Sequence, residues 1–322
     1  MSVSVKGQPW LESQATRAVM RALEAAGGAG CARFVGGCVR NSLLGQPVDD
    51  IDIATRLRPE QTMAALKAAG RIVFVGEAET RIREDYLRIL RFFRFYAWYG
   101  RGEPDAVGLA ACAALKGGMA QLSAERVSKE LLKLLAAPDP RAAVQAMADT
   151  GVLAQVLPQA QPLALFEAIC DLTDDPVMRL SALLPADVAE VMEIAVGLRL
   201  SNAVRDRLAA AVADGPAVSP TMSDAEARAA IYRLGRRAFE DRLMRAEAAG
   251  GGDGARLQAL SADWTPPKMP VGGRDLARLG LRPGPETGRV LKAFEDGWVA
   301  DDFPGEGHER RLKTLIAATG RG

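Results

Sequence analysis

The chain has 322 residues, 48% of them hydrophobic, with 41 basic against 40 acidic side chains and a net charge of +1. This is enough apolar material for a substantial core in two or three domains. The near-neutral total does not favour a nucleic-acid partner, but binding footprints are local, so it does not exclude one. Cys31, Cys38, Cys112 and Cys170 are widely spaced with no CxxC, which argues against a disulfide frame or a zinc site and for a reducing compartment. His308 is the single histidine, which argues against His-based nucleophilic chemistry and a His-rich metal centre. Met1 to Trp10 lacks the apolar core of a signal peptide, and no apolar run reaches membrane-spanning length. The expected place is the cytoplasm, with no membrane partner.

In chain order, Leu11 to Ala26 reads as a helix with Val19, Met20 and Leu23 on one side and Gly27-Gly28 as its stop. Ala32 to Val35 reads as a strand, ended by Gly36-Gly37. Cys38 to Leu44 follows as a short helix closed by Gly45. Asp50 to Thr55 alternates apolar and polar residues, the period of a strand. Pro59 opens a helix that Gly70 closes, Arg71 to Val75 reads as another strand, and a long helix is expected from about Arg81 to Tyr99. After Gly100 only helices are expected. Ser123 is placed to cap one through Leu135, Asp139-Pro140 opens one ending at Gly151, and Ser223-Asp-Ala-Glu226 is a capping box for one through about Arg245. Breaks at Ala213–Pro220 and Gly250–Gly273 suggest subdomain borders.

Two motifs carry chemistry. The first is Gly36-Gly37-Cys38-Val39-Arg40-Asn41 followed by Asp50-Ile51-Asp52. Paired glycines between strand and helix let a backbone approach an anion at a helix N-terminus, and Arg40 could add a fixed positive charge. Asp50 and Asp52, two apart on a strand, share a face, and two hard oxygen ligands there suit Mg²⁺. Each half has an ordinary reading too, as a turn and as a solvated face.

The second motif is Glu84-Asp85-Tyr86-Leu87-Arg88 with Arg91 and Arg94 at three-residue steps. On a helix, Tyr86, Ile89, Leu90, Phe93 and Ala97 form an apolar stripe. Arg81, Arg83, Arg88, Arg91, Arg94 and Arg101, against Glu84 and Asp85 alone, could form a basic stripe. The ordinary alternative is a helix laced with i,i+4 ion pairs.

Together these strings resemble the first motif and the Glu-Asp-x-x-Arg-x-x-Arg motif of the tRNA nucleotidyltransferase (CCA-adding) and bacterial poly(A) polymerase family. The resemblance implies an α/β nucleotidyltransferase head, a truncated mixed sheet with helices, over residues 1–100. An all-α neck (101–152), body (153–250) and tail (251–322) would follow, the tail being a candidate RNA-binding segment. It implies Asp50 and Asp52 as catalytic metal ligands for Mg²⁺, and Gly36, Gly37 and Arg40 on the triphosphate. Glu84, Asp85, Arg88 and Arg91 are implied as nucleotide-binding, with the first three reading the Watson–Crick edge of CTP or ATP. Many family members carry Asp where this chain has Asn41. Leu122 to Leu135 is similar to the family's neck motif, where Glu and Lys brace the nucleotide-reading helix. Gly273 to Gly288 is similar to its C-terminal segment, where a Gly/Pro turn can meet a phosphate.

One block of the family pattern is absent. Between Gly70 and Arg71 the family has several dozen more residues, with a third metal-site carboxylate and the Arg-Arg-Asp-Phe-Thr motif that discriminates ribose. This chain contains no Arg-Arg-Asp string. Glu77 and Glu79 are nearby acids, but nothing in the pattern assigns them to a metal. The implied function is Mg²⁺-dependent CCA addition to tRNA from CTP and ATP, with transfer weakened or lost. Poly(A) addition and a non-catalytic RNA- or nucleotide-binding remnant are the alternatives, and no obligate protein partner is evident. A helical adaptor would leave the joint motifs as coincidence.

Overall fold

The computed structural model describes residues 5, 7–48, 51–58, 61–62, 64–66 and 77–319. Contacts divide the chain into two compact units, Met1–Ala209 and Ala210–Gly322.

The first unit opens with helices α1 (Pro9–Glu12) and α2 (Gln14–Gly27). The single helix expected from Leu11 is broken at Ser13, whose hydroxyl accepts the Thr16 N–H at 3.1 Å and so caps α2. Strands β1 (Ala32–Val35) and β2 (Asp52–Thr55) pair antiparallel in the register Ala32↔Thr55 to Val35↔Asp52. Two strands are marginal alone. Here Leu23, Cys31, Ala32 and Ala65 form a small core with Val19, Met20, Ile53, Leu57 and Leu66, so the α2 stripe read from the sequence is the face that covers the sheet. Helix α3 (Gly37–Leu43) follows β1 directly. The expected strand Arg71–Val75 lies outside the described residues, as does much of the helix expected after Pro59.

The long helix expected over Arg81–Tyr99 is two helices, α4 (Ala78–Glu84) and α5 (Leu87–Tyr99), with Asp85 in extended backbone between them (φ −156°, ψ 106°). The apolar stripe survives on α5, where Leu87, Ile89, Leu90, Phe92 and Phe93 are buried. From there the described chain is helical, as expected. Helix α6 (Ala106–Leu115) is capped by the Asp105 carboxylate, a 3₁₀ turn runs over Lys116–Gln121, and α7 (Ala124–Leu135) packs along α5.

A buried arginine holds the end of α7. Arg179, 1% exposed, donates to the carbonyls of Leu135 (2.8 Å), Ala137 (2.6 Å) and Pro138 (3.4 Å), and its Nε donates to Thr173 O (2.8 Å). A helix leaves its last carbonyls without partners, and a planar five-donor cation near the C-terminus satisfies several at once.

In the second unit the capping box at Ser223 is present, but its helix ends at Leu234. Gly235 (φ 80°) turns the chain, and a separate helix runs Arg236–Ala246, where one continuous helix was expected. The helix Asp224–Leu234 serves two cores. Ala227, Ala230 and Ile231 face Phe239, Leu243 and Leu257, while Ala229 and Tyr232 pack with Phe294 and Trp298. Among the described residues no helix is long and apolar enough to cross a membrane.

Candidate functional site

Strand β1 delivers the chain to Gly36, which has φ 70° and ψ −137°. Side-chain-bearing residues avoid this backbone region. A Cβ at Gly36 would also lie 2.7 Å from Oδ2 of Asp52, the residue paired with Val35 across the sheet. The glycine therefore does two things at once: it makes the turn and it leaves the volume that the Asp52 carboxylate fills. Gly37 differs. A Cβ there would meet only the Arg40 guanidinium, at 3.9 Å, so the space in front of it is open.

Cys38 is fully buried behind this turn. Its thiol donates to Val35 O (3.0 Å) and approaches Asp52 O (3.8 Å), tying the end of β1 to the start of β2. The sequence marked it only as a small apolar residue, yet its place directly after the paired glycines was the available signal. The four cysteines are free thiols.

Asp52 is exposed, and its carboxylate has no hydrogen-bond partner among the described residues. Asp50 lies outside the described residues. Arg40 is exposed, and its Nε and Nη2 donate to the neutral Asn41 Oδ1 (3.2 and 3.1 Å), while Asn41 Nδ2 donates to Pro47 O (3.0 Å). The Arg40 charge is thus oriented, and no carboxylate among the described residues pairs with it. Among the described residues no group of three His, Cys, Asp or Glu side chains forms a metal cage. The donor set still fits a hard divalent cation of the Mg²⁺ type, which keeps several waters and takes only one or two protein carboxylates together with substrate phosphates.

The acid–arginine group lies around the break between α4 and α5. Glu84 accepts from Arg88 Nη1 (2.6 Å) and pairs with Arg81 (3.0 Å), while Arg88 also reaches Arg81 O (3.0 Å). Asp85 Oδ1 accepts the Leu87 N–H at 3.1 Å, a local bond that competes with continuing the helix. Asp85 Oδ2 accepts from Arg126 Nη2 of α7 at 2.8 Å. The ring of Tyr86, next in the turn, occupies the space a side chain at Gly118 would need. Hydrogen bonds and ion pairs of Glu84, Asp85 and Arg88 run within α4–α5 and to α7; none is with Asp52.

The basic stripe expected over Arg81–Arg101 is largely neutralised. Arg81 and Arg88 share Glu84, Arg83 pairs with Glu79 (2.9 Å), and Arg94 pairs with Glu130 of α7 (2.6 Å) while stacking 4.2 Å from the Phe95 ring centre. Arg91 is exposed, 5.8 Å from the Phe95 ring centre, and has no carboxylate partner among the described residues. Sequence reasoning missed the partners because Glu130 and Arg126 are 36 and 41 residues away. From the neck segment, Arg126 and Glu130 form ion pairs with this region, with Asp85 and Arg94.

Glu77 and Glu79 are both occupied locally. The Glu77 carboxylate caps α4, accepting from Thr80 N (2.6 Å) and Glu79 N (3.2 Å). Its hydrogen bonds with Thr80 hold the Glu77 carboxyl below its ordinary range. At the two helix starts of the segment around Gly273–Gly288, the N–H of the N-cap Gly272 is already accepted by Asp275 (2.8 Å) and that of the N-cap Gly284 by Thr287 (3.3 Å).

Residues 32–86 match the family model described as the poly A polymerase head domain, and residues 106–163 match one described as "Probable RNA and SrmB- binding site of polymerase A". The chain is 29% identical over 262 residues to the mitochondrial CCA tRNA nucleotidyltransferase 1 of Homo sapiens, covering 74% of this chain and 57% of that protein. It thus spans little more than half the length of that relative. It is 25% identical over 410 residues to the CCA-adding enzyme of Limosilactobacillus fermentum, covering 96% and 97% of the two chains. That alignment is longer than this chain, so it places gaps within it. The fold is shared with the crystal structure of the Bacillus stearothermophilus CCA-adding enzyme in complex with CTP, at a TM-score of 0.58 and 22% identity over 98% of both chains.

Proposed function

We propose that the chain is a member of the tRNA nucleotidyltransferase and poly(A) polymerase family, to which its matches point, and that it transfers nucleotides from CTP and ATP to the 3′ end of tRNA, completing CCA. The carrying observation is the Gly36–Asp52 arrangement. An exposed carboxylate with no hydrogen-bond partner among the described residues sits against a glycine whose backbone strains any other residue, at the mouth of a strand-to-helix turn. Such a carboxylate is poised for a ligand rather than for the fold.

In this reading Asp52, with Asp50, holds a divalent cation that we take to be Mg²⁺. The cation would neutralise charge on the triphosphate and favour attack by the primer hydroxyl. Gly37 leaves room for a phosphate, and Arg40 donates to it as an oriented cation. Glu84, Asp85 and Arg88 face the base: a carboxylate accepts from an exocyclic amine, and a guanidinium donates to a ring nitrogen or carbonyl. Arg91, with no carboxylate partner among the described residues, is left for the nucleotide or the RNA backbone. CCA addition is preferred to poly(A) addition because the relatives that align over most of this chain carry the CCA-adding name.

The third carboxylate has no substitute in this reading, because Glu77 caps α4 and Glu79 pairs with Arg83. Transfer is therefore expected to be slow. The test is extension of tRNA lacking its CCA end, with CTP, ATP and Mg²⁺. Slow, metal-dependent addition of C, C and A supports the proposal. Addition of A alone favours the polymerase reading. Salt-sensitive tRNA binding with no metal-dependent CTP binding favours the non-catalytic remnant.

A further inference from the structure

We infer that Arg126, on the neck helix α7, determines which base is accepted, acting as a positioning residue through the Asp85 carboxylate. The inference rests on the reading of Glu84, Asp85 and Arg88 as the base-facing group. Asp85 lies between two helices in extended backbone, with its side chain 31% exposed, so packing does not fix its carboxylate. Two donors do: Leu87 N–H on Oδ1 at 3.1 Å and Arg126 Nη2 on Oδ2 at 2.8 Å.

An ionised carboxylate offers about four lone-pair sites. Two are taken, and the direction of the others is set by these two donors. Cytosine and adenine present an exocyclic amine that such a lone pair accepts. Uracil and guanine present a carbonyl oxygen in the corresponding place, which it repels. Discrimination therefore depends on where the free lone pairs point. The terminal torsion of an aspartate is soft, so with Leu87 alone the carboxylate turns to suit whatever is bound. Arg126 removes that freedom. It also refers the carboxylate to α7 rather than to its own turn.

Glu84 has no equivalent, since its partners Arg81 and Arg88 come from α4 and α5 themselves. The other tie between the two helices, Arg94–Glu130, is more buried and ends on none of the three base-facing residues. It serves as the internal control.

The experiment is equilibrium binding of CTP, ATP, UTP and GTP in Mg²⁺, with thermal unfolding, for the full chain and for Arg126→Ala, Arg126→Lys and Glu130→Gln. The intact chain is expected to prefer CTP and ATP. Arg126→Ala loses that preference by roughly tenfold, because one oriented acceptor is what separates the two classes of base. Its melting temperature hardly moves, since exposed ion pairs contribute little to stability. Arg126→Lys recovers part of the preference. Glu130→Gln melts earlier and keeps the preference. An unchanged preference in Arg126→Ala overturns the inference alone. No preference in the intact chain overturns the base-facing assignment, and this inference with it. An equal loss in Glu130→Gln shows that helix placement, not the Arg126 bond, sets the choice, and also overturns it. If Arg126→Ala melts below the assay temperature, Arg126→Gln takes its place in the comparison.

Discussion

Replacing Gly36 by alanine separates two consequences that the structure joins at one atom. The backbone at φ 70° and ψ −137° is reserved for glycine, and holding alanine there costs about 1–3 kcal/mol. The new Cβ would lie 2.7 Å from Asp52 Oδ2, about an ångström inside ordinary contact. The carboxylate is an exposed side-chain end, so it gives way at little further cost in stability. On the proposal that Asp52 holds the metal, however, displacing it by about an ångström costs roughly 100-fold in rate. Gly36→Ala should therefore lower the denaturant midpoint modestly while reducing transfer to a tRNA primer by about two orders of magnitude. The two readouts are urea unfolding and single-turnover extension in Mg²⁺. A stable Gly36→Ala protein with the original rate refutes the whole argument. A destabilised protein with the original rate refutes the part linking Gly36 to the chemistry of Asp52.

Gly37→Ala is the complementary case: the site is open in the free protein, so stability should stay within about 1 kcal/mol of the original. On the proposed function CTP binding should nevertheless weaken at least several-fold in calorimetry, because that reading places a phosphate in this space. Glu130→Gln leaves the largely buried Arg94 cation with a neutral acceptor and should cost about 2–3 kcal/mol in chemical unfolding. Asp302 accepts a two-pronged bond from Arg228 (2.7 and 2.5 Å), and that guanidinium holds its carboxyl below the ordinary range. A depressed carboxylate contributes stability that is present above its unfolded pKa of about 4 and lost as pH falls through the lower folded value. The gap in melting temperature between the intact chain and Asp302→Asn should therefore hold at neutral pH and close below about pH 4. A gap independent of pH would refute the assignment.

The head's local features were legible because their causes are local. Paired glycines after a short apolar run can mean little but a turn after a strand, and both β1 and α3 begin and end within a residue or so of where the pattern puts them. Helix ends marked by Gly27-Gly28, Ser223 and Gly151 were readable for the same reason. The break at Asp85–Tyr86 was not. Buried Ile82 on α4 stands four residues before Tyr86, so the apolar stripe of Tyr86, Ile89, Leu90 and Phe93 keeps helical spacing across the break. Helical periodicity reports which face is buried and says nothing of a side chain that bonds its own backbone and a distant arginine.

The charges divide the same way. Taken along the chain, Arg81 to Arg101 looks like a cationic stripe, since the partners of Arg94 and Asp85 are supplied by α7. Arg179 looks like an ordinary solvated arginine in its helix, yet it is 1% exposed and fastens the end of α7. By itself, then, the amino-acid order determined the glycine turn, the position of Asp52 on its strand and the family the chain resembles, because backbone conformation and strand alternation act over a few residues. Only the tertiary structure decided which arginines keep a charge to offer and how the Asp85 carboxylate is aimed, because ion pairing depends on distances between helices that the local pattern does not encode.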